Sequence, residues 1–208
     1  MVYTRQVMSM HTLSLAIADA CISRGWIEAQ KKFWCAYAVE KKLISLCFFL
    51  LMIPLAVVLD VLPQATVFSF AFYLLRRRYG GWHAPYAWLC QVISITLVLV
   101  VTLFAGPMII RLPPLMVWGA DTIVVTVAIT QPPVYPPQLH FDQEIKRANK
   151  NKKNLVLLII LGLQLGLGFF IKDVLVYSLL AVLAGIISVY IEILQQHIYR
   201  KRDSYEQT

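Results

Sequence analysis

Residues 89–110 read LCQVISITLVLVVTLFAGPMII, an apolar run without a single Asp, Glu, Lys or Arg. As a helix that rises 1.5 Å per residue, a run of this length covers about 33 Å. The hydrocarbon core of a bilayer is about 30 Å thick. The run therefore predicts a transmembrane helix.

Five further apolar segments accompany it, of which four are long enough to span. The long ones are residues 43–62, 112–131, 155–171 and 174–194. Residues 65–75 would cover only about 16 Å. This segment spans if its helix begins near Pro63 and the arginines at 76–78 extend toward the headgroups; a re-entrant segment is the alternative. We predict an all-α polytopic membrane protein with about six transmembrane helices.

The composition agrees with this fold class. Of the 208 residues, 59% are hydrophobic and only 14% are charged, against about a quarter charged in soluble domains. A soluble globular domain and a disordered chain are both excluded. The four cysteines form no C-x-x-C pair, which disfavours a disulfide scaffold or a structural zinc site. We expect no metal and no cofactor.

The expected membrane topology explains the net charge of +8. If all six segments span, every Lys and Arg except Arg111 and Lys172 falls on one side, which the positive-inside rule assigns to the cytoplasm, together with both termini. We therefore expect contact with an anionic inner leaflet, chiefly through the basic part of a loop over residues 132–154; substrate contact is the alternative. Nucleic acid binding is not implied.

Three regions are expected. Residues 1–42 mix aromatic and basic side chains and predict amphipathic helices in the membrane interface, broken at Gly25. Residues 43–194 form the six-helix transmembrane domain. Residues 195–208 are a basic cytoplasmic tail.

One loop departs from ordinary composition: residues 76–90 read RRRYGGWHAPYAWLC. It contains His83 and Cys90, and a cysteine acts as a nucleophile when a nearby base takes its proton. In an unbroken helix, residues seven apart are separated by about 10 Å. Pro85 interrupts the helix, and the flexible pair Gly80-Gly81 allows close approach to a peptide. His83 is thus a candidate base and Cys90 a candidate nucleophile at the cytoplasmic surface.

The string Arg76…Gly80-Gly81-Trp82-His83-Ala84…Cys90 resembles the signature of the accessory gene regulator B family, bacterial membrane endopeptidases that process quorum-sensing signal peptides. That signature has an Arg seven residues before the histidine, a Gly-Gly-x-His-Ala core and a Cys seven residues after it. All three match here. The overall pattern agrees over roughly residues 25–195, but only residues 76–90 are specific.

The resemblance implies a cysteine endopeptidase of the bacterial plasma membrane that removes the C-terminal tail of a small signal propeptide. His83 would be the general base, and Cys90 would form an acyl-enzyme that closes to a thiolactone or lactone. The propeptide would have an amphipathic start and an acidic tail, and the expected assembly of the enzyme would be a homodimer. The resemblance assigns substrate binding to the basic and glycine positions of the motif, namely Arg76, Arg77, Arg78, Gly80 and Gly81. By their places in the motif, Arg76 and Gly81 would either bind substrate or shape the loop.

A small transporter or channel is the alternative function. It would use Asp121, Gln164 and the glycine-rich residues 162–168 to line a path. This alternative leaves the spacing of His83 and Cys90 unexplained.

Overall fold

The computed structural model describes residues 2–82, 87–134 and 143–206. Helices make up all regular secondary structure in these ranges, apart from one isolated parallel bridge between Gly80 and Val134. The predicted all-α fold class is confirmed.

The helices follow one another closely along the chain, and the run from residue 87 to residue 110 is continuous through a π turn. In chain order the elements are α1 (Val2–Ser23), a 3₁₀ turn (Ala29–Lys31), α2 (Lys32–Val58), α3 (Leu62–Tyr79), α4 (Ala87–Val100), the π turn (Val101–Ala105), α5 (Gly106–Ile110), α6 (Pro114–Thr130), α7 (Gln143–Leu167) and α8 (Lys172–Glu206).

Three helices are long and apolar enough to cross a membrane, judged by length and composition: Ala29–Val58, Leu89–Ile110 and Lys172–Ile198. They contain most of the predicted runs 43–62, 89–110 and 174–194. Pro114–Thr130 is a shorter apolar helix. Six crossings remain a prediction.

Helix α3 contains the short apolar segment 65–75. It begins at Leu62, with Pro63 in its first turn, and its last turn holds three arginines, as the spanning interpretation requires. Its 18 residues give a length of about 27 Å. The helix has no break, so the segment does not turn back on itself between residues 62 and 79.

Three helices extend beyond the expected boundaries. Helix α2 begins at Lys32, inside the segment 1–42 for which separate interfacial helices are predicted. Helix α7 begins at Gln143, so the basic half of the predicted loop is helical, and α8 continues through the predicted tail to Glu206. The physical reason is local: residues 32–53, 143–161 and 186–206 contain neither Gly nor Pro, and Lys, Arg, Gln and Glu are good helix formers. Hydropathy marks where a helix can enter lipid, and not where the helix itself ends.

The chain forms two compact units. The first holds α1, α2 and the beginning of α4 up to Thr96. The second holds α3, the rest of α4 from Leu97, and every later helix.

In the first unit α1 packs against α2. The chain between them turns at Gly25, whose φ of 70° suits glycine, so the break occurs where the sequence predicts it. Lys32 and Asp19 form an ion pair at 2.6 Å. Trp26, Phe33 and Trp34 remain exposed, and exposed aromatic side chains of this kind are typical of a membrane interface.

In the second unit α3 packs mainly on α8 and α7. The buried residues of α3 recur at helical spacing on one face: Ala65, Phe68, Ser69, Ala71, Phe72, Leu75 and Tyr79. This packing holds the end of α3, from which the candidate active-site motif continues.

A polar cluster lies inside the second unit, where α6, α7 and α8 contribute Asp121, Gln164 and Ser178. The amide nitrogen of Gln164 donates to Oδ1 of Asp121 and to Oγ of Ser178, both at 2.9 Å. All three side chains are buried. The residues on which the transporter alternative depends are thus bonded to each other, which favours a packing role.

Gln164→Leu is expected to destabilise the protein by roughly 1–3 kcal/mol, because it leaves the buried oxygens of Asp121 and Ser178 without this donor. Thermal unfolding of the purified protein in detergent measures the loss. Leu163→Ala, at the exposed neighbouring position, is the control and should change the unfolding temperature less. Equal shifts for the two variants would contradict a structural role for the cluster.

Candidate active site

The candidate motif begins in the last turn of α3, which carries Arg76, Arg77 and Arg78. Three positive charges at the carboxyl end of a helix interact favourably with its dipole. Arg77 is exposed, whereas Arg76 and Arg78 are half-buried. The three arginines therefore differ in how accessible they are to a ligand.

Arg76 folds over the residues that follow its own helix. Its Nη2 donates to the carbonyl oxygen of Trp82 at 2.6 Å, and its guanidinium lies 5.7 Å from the ring centre of Phe72. A hydrogen bond from a charged donor is stronger than a neutral one. Arg76 thus fixes the backbone at the residue directly before His83.

Gly80 ends α3 with a φ of 72°, a conformation that costs glycine least. It also pairs with Val134 through the isolated bridge, and the amide of Val134 donates to the carbonyl oxygen of Tyr79 at 2.9 Å. A Cβ at position 80 would overlap the carbonyl oxygen of Val134. Only glycine allows the two backbones to approach this closely.

Gly81 is restricted in the same way by α8. Its φ is 109°, and a Cβ there would lie 2.7 Å from Oγ of Ser188. The next amide, that of Trp82, donates to the carbonyl oxygen of Ser188 at 3.0 Å. The backbone of residues 80–82 is therefore held between the segment after α6 and the middle of α8.

Tyr79 connects the end of α3 to the end of α6. Its side chain is only 2% exposed, and its hydroxyl donates to the carbonyl oxygen of Ala128. Burial raises the pKa of this phenol above its usual value, so Tyr79 stays neutral and remains a donor at physiological pH.

Lys153, near the middle of α7, contributes a buried cation to the same place. Its Nζ lies 4.9 Å from the ring centre of Tyr79. The acceptors of its hydrogen bonds are carbonyl oxygens at the end of α6, namely Ala128 at 2.9 Å, Ile129 at 3.0 Å and Gln131 at 2.5 Å. Burial, and to a smaller extent the charge of Lys150, lowers the pKa of Lys153 to about 8. The side chain is therefore mostly protonated at pH 7.

Cys90 belongs to the first unit, where it is half-buried near the beginning of α4. The side-chain amide of the next residue, Gln91, donates to the carbonyl oxygen of Ile44 in α2 and ties this turn of α4 to that helix. The structure describes all four cysteines, and none is in a disulfide. His83 and Pro85 lie outside the described residues, so the predicted pairing of His83 with Cys90 stays a prediction.

The residues that support the motif carry no signal of their own in the sequence. Lys153 is the last of five basic residues and Ser188 lies in an apolar run. Tyr79 stands inside the motif, but its spacing does not indicate a partner on α6. Only the tertiary contacts single these residues out. Within the ranges that the structure describes, no group of three or more His, Cys, Asp or Glu side chains is placed to hold a metal ion.

The family model named accessory gene regulator B matches residues 15–196. The chain belongs to the accessory gene regulator B family. No match is found among curated proteins or among solved structures. Together with the apolar helices, membership in this family indicates a membrane protein, and it is consistent with a role in processing quorum-sensing propeptides. The accessory gene regulator B motif expected at residues 76–90 lies inside the matched region.

Proposed function

We propose that this chain is a membrane-embedded cysteine endopeptidase that removes the C-terminal tail of a small signal propeptide. The observation that carries the proposal is the motif itself: His83 and Cys90 stand seven residues apart, after a glycine pair, in a chain of the accessory gene regulator B family. The tight enclosure of Gly80 and Gly81 supports it, since a loop fixed this closely suits a site that must orient a histidine.

In the proposed reaction Cys90 is the nucleophile and His83 is the general base. His83 takes the thiol proton, and the thiolate attacks the scissile carbonyl carbon. The carbon–nitrogen bond then breaks, and the proton on His83 passes to the departing amine. The tail leaves, and the signal portion stays on Cys90 as a thioester.

Ring closure follows by transfer of the acyl group. The thiol or hydroxyl of an internal cysteine or serine in the propeptide attacks the thioester carbon, and Cys90 leaves as a thiolate that regains a proton. Exchange of one thioester for another is close to balanced in energy, so a thiolactone needs no further energy source. A site shielded from water by the membrane favours this transfer over hydrolysis.

The motif residues divide into two proposed roles. Arg77 and Arg78 bind the acidic tail of the propeptide by charge attraction. Arg76, Gly80 and Gly81 complete the substrate site by shaping the loop on which the propeptide lies, as their contacts with Trp82, Val134 and Ser188 favour.

We place the site on the cytoplasmic face of the bacterial plasma membrane, with both termini on that side. The distribution of Lys and Arg among the six apolar segments supports this orientation. The exposed side chains of Arg147, Lys150 and Lys152 then face the anionic inner leaflet. A homodimer in the membrane is part of the same proposal.

The proposal is tested by reconstituting the purified protein into anionic vesicles with its own propeptide. Mass spectrometry should detect the free tail and a signal fragment lighter than the linear fragment by one water, as ring closure requires. Recovery of intact propeptide alone would overturn the proposed function. Recovery of only the linear fragment would overturn the cyclisation step and leave the endopeptidase standing.

The two arginine roles predict different kinetic effects. Arg76→Gln removes the bond to the Trp82 carbonyl and should lower kcat by more than about tenfold, with KM changed less than about twofold. Arg77→Gln, its exposed neighbour, should instead raise KM, and added salt should reduce the advantage of wild type over this variant. A rise in KM for Arg76→Gln with unchanged kcat would contradict the loop-shaping role of Arg76.

A further inference from the structure

Lys153 differs from the other basic residues of its helix whose side chains the structure describes. Arg147, Lys150 and Lys152 are exposed, whereas Lys153 is 0% exposed. Attraction to anionic headgroups requires a charge that reaches the surface. The exposed residues can provide that attraction, but the buried ammonium of Lys153 cannot, so Lys153 has a different role.

The bonds of Lys153 indicate that role. The last carbonyl groups of an α-helix have no partner within the helix, and a cation there offsets the negative end of the dipole. Lys153 donates to three such oxygens at the end of α6, at Ala128, Ile129 and Gln131. A side chain of α7 therefore closes the end of α6.

The same ammonium acts on the motif through Tyr79. It lies over the Tyr79 ring, the Tyr79 hydroxyl donates to Ala128, and the Tyr79 carbonyl accepts from the amide of Val134. Val134 in turn encloses Gly80. A contiguous series of contacts thus runs from Lys153 to the backbone of residues 79–82, which directly precedes His83.

We propose that Lys153 is a positioning residue that holds residues 79–82 of the motif in place by closing the end of α6 against Tyr79. The proposal rests on the proposed function, because residues 79–82 matter to catalysis only if His83 is the base. Lys153 itself touches no reacting atom. Its effect is to fix the backbone of residues 79–82, which directly precede His83 in the chain.

Hydrogen exchange of the purified wild-type protein, Lys153→Met and Lys152→Met tests the positioning without any substrate. The two variants lose the same charge at adjacent positions, one buried and one exposed. Lys153→Met should speed exchange of the amides of Gly80, Trp82 and Val134 by about tenfold or more, since each is hydrogen-bonded in the intact arrangement. Lys152→Met should leave their exchange unchanged. Equal exchange in both variants would overturn the proposal.

Propeptide cleavage provides the second readout. Lys153→Met should lower kcat by more than about tenfold with KM nearly constant. Lys153→Arg, which keeps the positive charge, should restore most of the rate. The kcat of Lys152→Met should stay within about twofold of wild type. A general loss of folding would not be expected to spare KM or to be rescued by arginine. If Lys153→Met does not fold, Tyr79→Phe, which lacks the hydroxyl bonded to Ala128, replaces it and should show the same loss of kcat.

The two proposals fail in different ways. If the wild-type protein does not cleave the propeptide, the proposed function is overturned, while the exchange comparison still decides whether Lys153 holds residues 79–82. If wild type cleaves and Lys153→Met cleaves at the same kcat, the positioning role is overturned and the endopeptidase stands.

Discussion

Cys90→Ala and His83→Ala are each expected to abolish cleavage of the propeptide, with rates reduced at least about 1,000-fold. Alanine at position 90 removes the only atom proposed to bond to the substrate carbonyl. Alanine at position 83 leaves the thiol with its proton and the departing amine without a donor. The measurement is the initial rate of tail release by each purified variant at equal protein concentration.

The three other cysteines are the matched controls. Cys21, Cys35 and Cys47 are half-buried, as Cys90 is, so Cys→Ala at each of them makes the same chemical change at a similar degree of burial. Each control should keep a rate within about threefold of wild type, since none has a histidine at a comparable spacing. Normal processing by Cys90→Ala would eliminate the cysteine mechanism.

Gly80→Ala and Gly81→Ala are expected to have the next largest effects, a loss of kcat of roughly 100-fold. Both positions have positive φ, and at each an added Cβ would run into a neighbour, the Val134 carbonyl or Oγ of Ser188. The backbone must then move away, which displaces the loop before His83. Steady-state cleavage kinetics and an unfolding temperature for each variant separate a local displacement from loss of the fold.

Gly119→Ala provides the control for these substitutions. Gly119 lies within α6, and a Cβ there has nothing within 4 Å. Alanine is also the better helix former by about 1 kcal/mol, so this variant should be fully active and at least as stable as wild type. Full activity of Gly81→Ala would contradict the requirement for a close approach between Gly81 and Ser188.

The helical class and the positions of the apolar helices Leu89–Ile110 and Lys172–Ile198 were predictable because a span of about 30 Å imposes a composition that local sequence reveals. The start of α3 was predictable for a similar reason, since Pro63 favours the first turn of a helix. The extension of α7 back to Gln143 was not. Hydropathy changes at residue 155, but the helix does not, because polar residues continue a helix as readily as apolar ones.

Within the candidate active site, the sequence identifies the residues whose chemistry depends on type and spacing, such as His83 and Cys90. It does not identify the residues that hold the loop. Lys153 and Tyr79 meet at the end of α6, and Ser188 meets Gly81, only because α3 packs on both α7 and α8. A run of basic residues in the sequence is equally compatible with charges at the surface and with a buried side chain that caps the end of another helix. Only the burial of each side chain in the structure separates these two roles.

Intact-mass spectrometry of the purified protein, quenched with acid shortly after mixing with its propeptide, tests the cysteine endopeptidase mechanism. The account predicts a transient adduct on Cys90 with the mass of the signal portion less one water, sensitive to neutral hydroxylamine as a thioester is, and absent from Cys90→Ala. Cleavage that proceeds at a normal rate with no adduct on Cys90, or with the adduct on another cysteine, would contradict it.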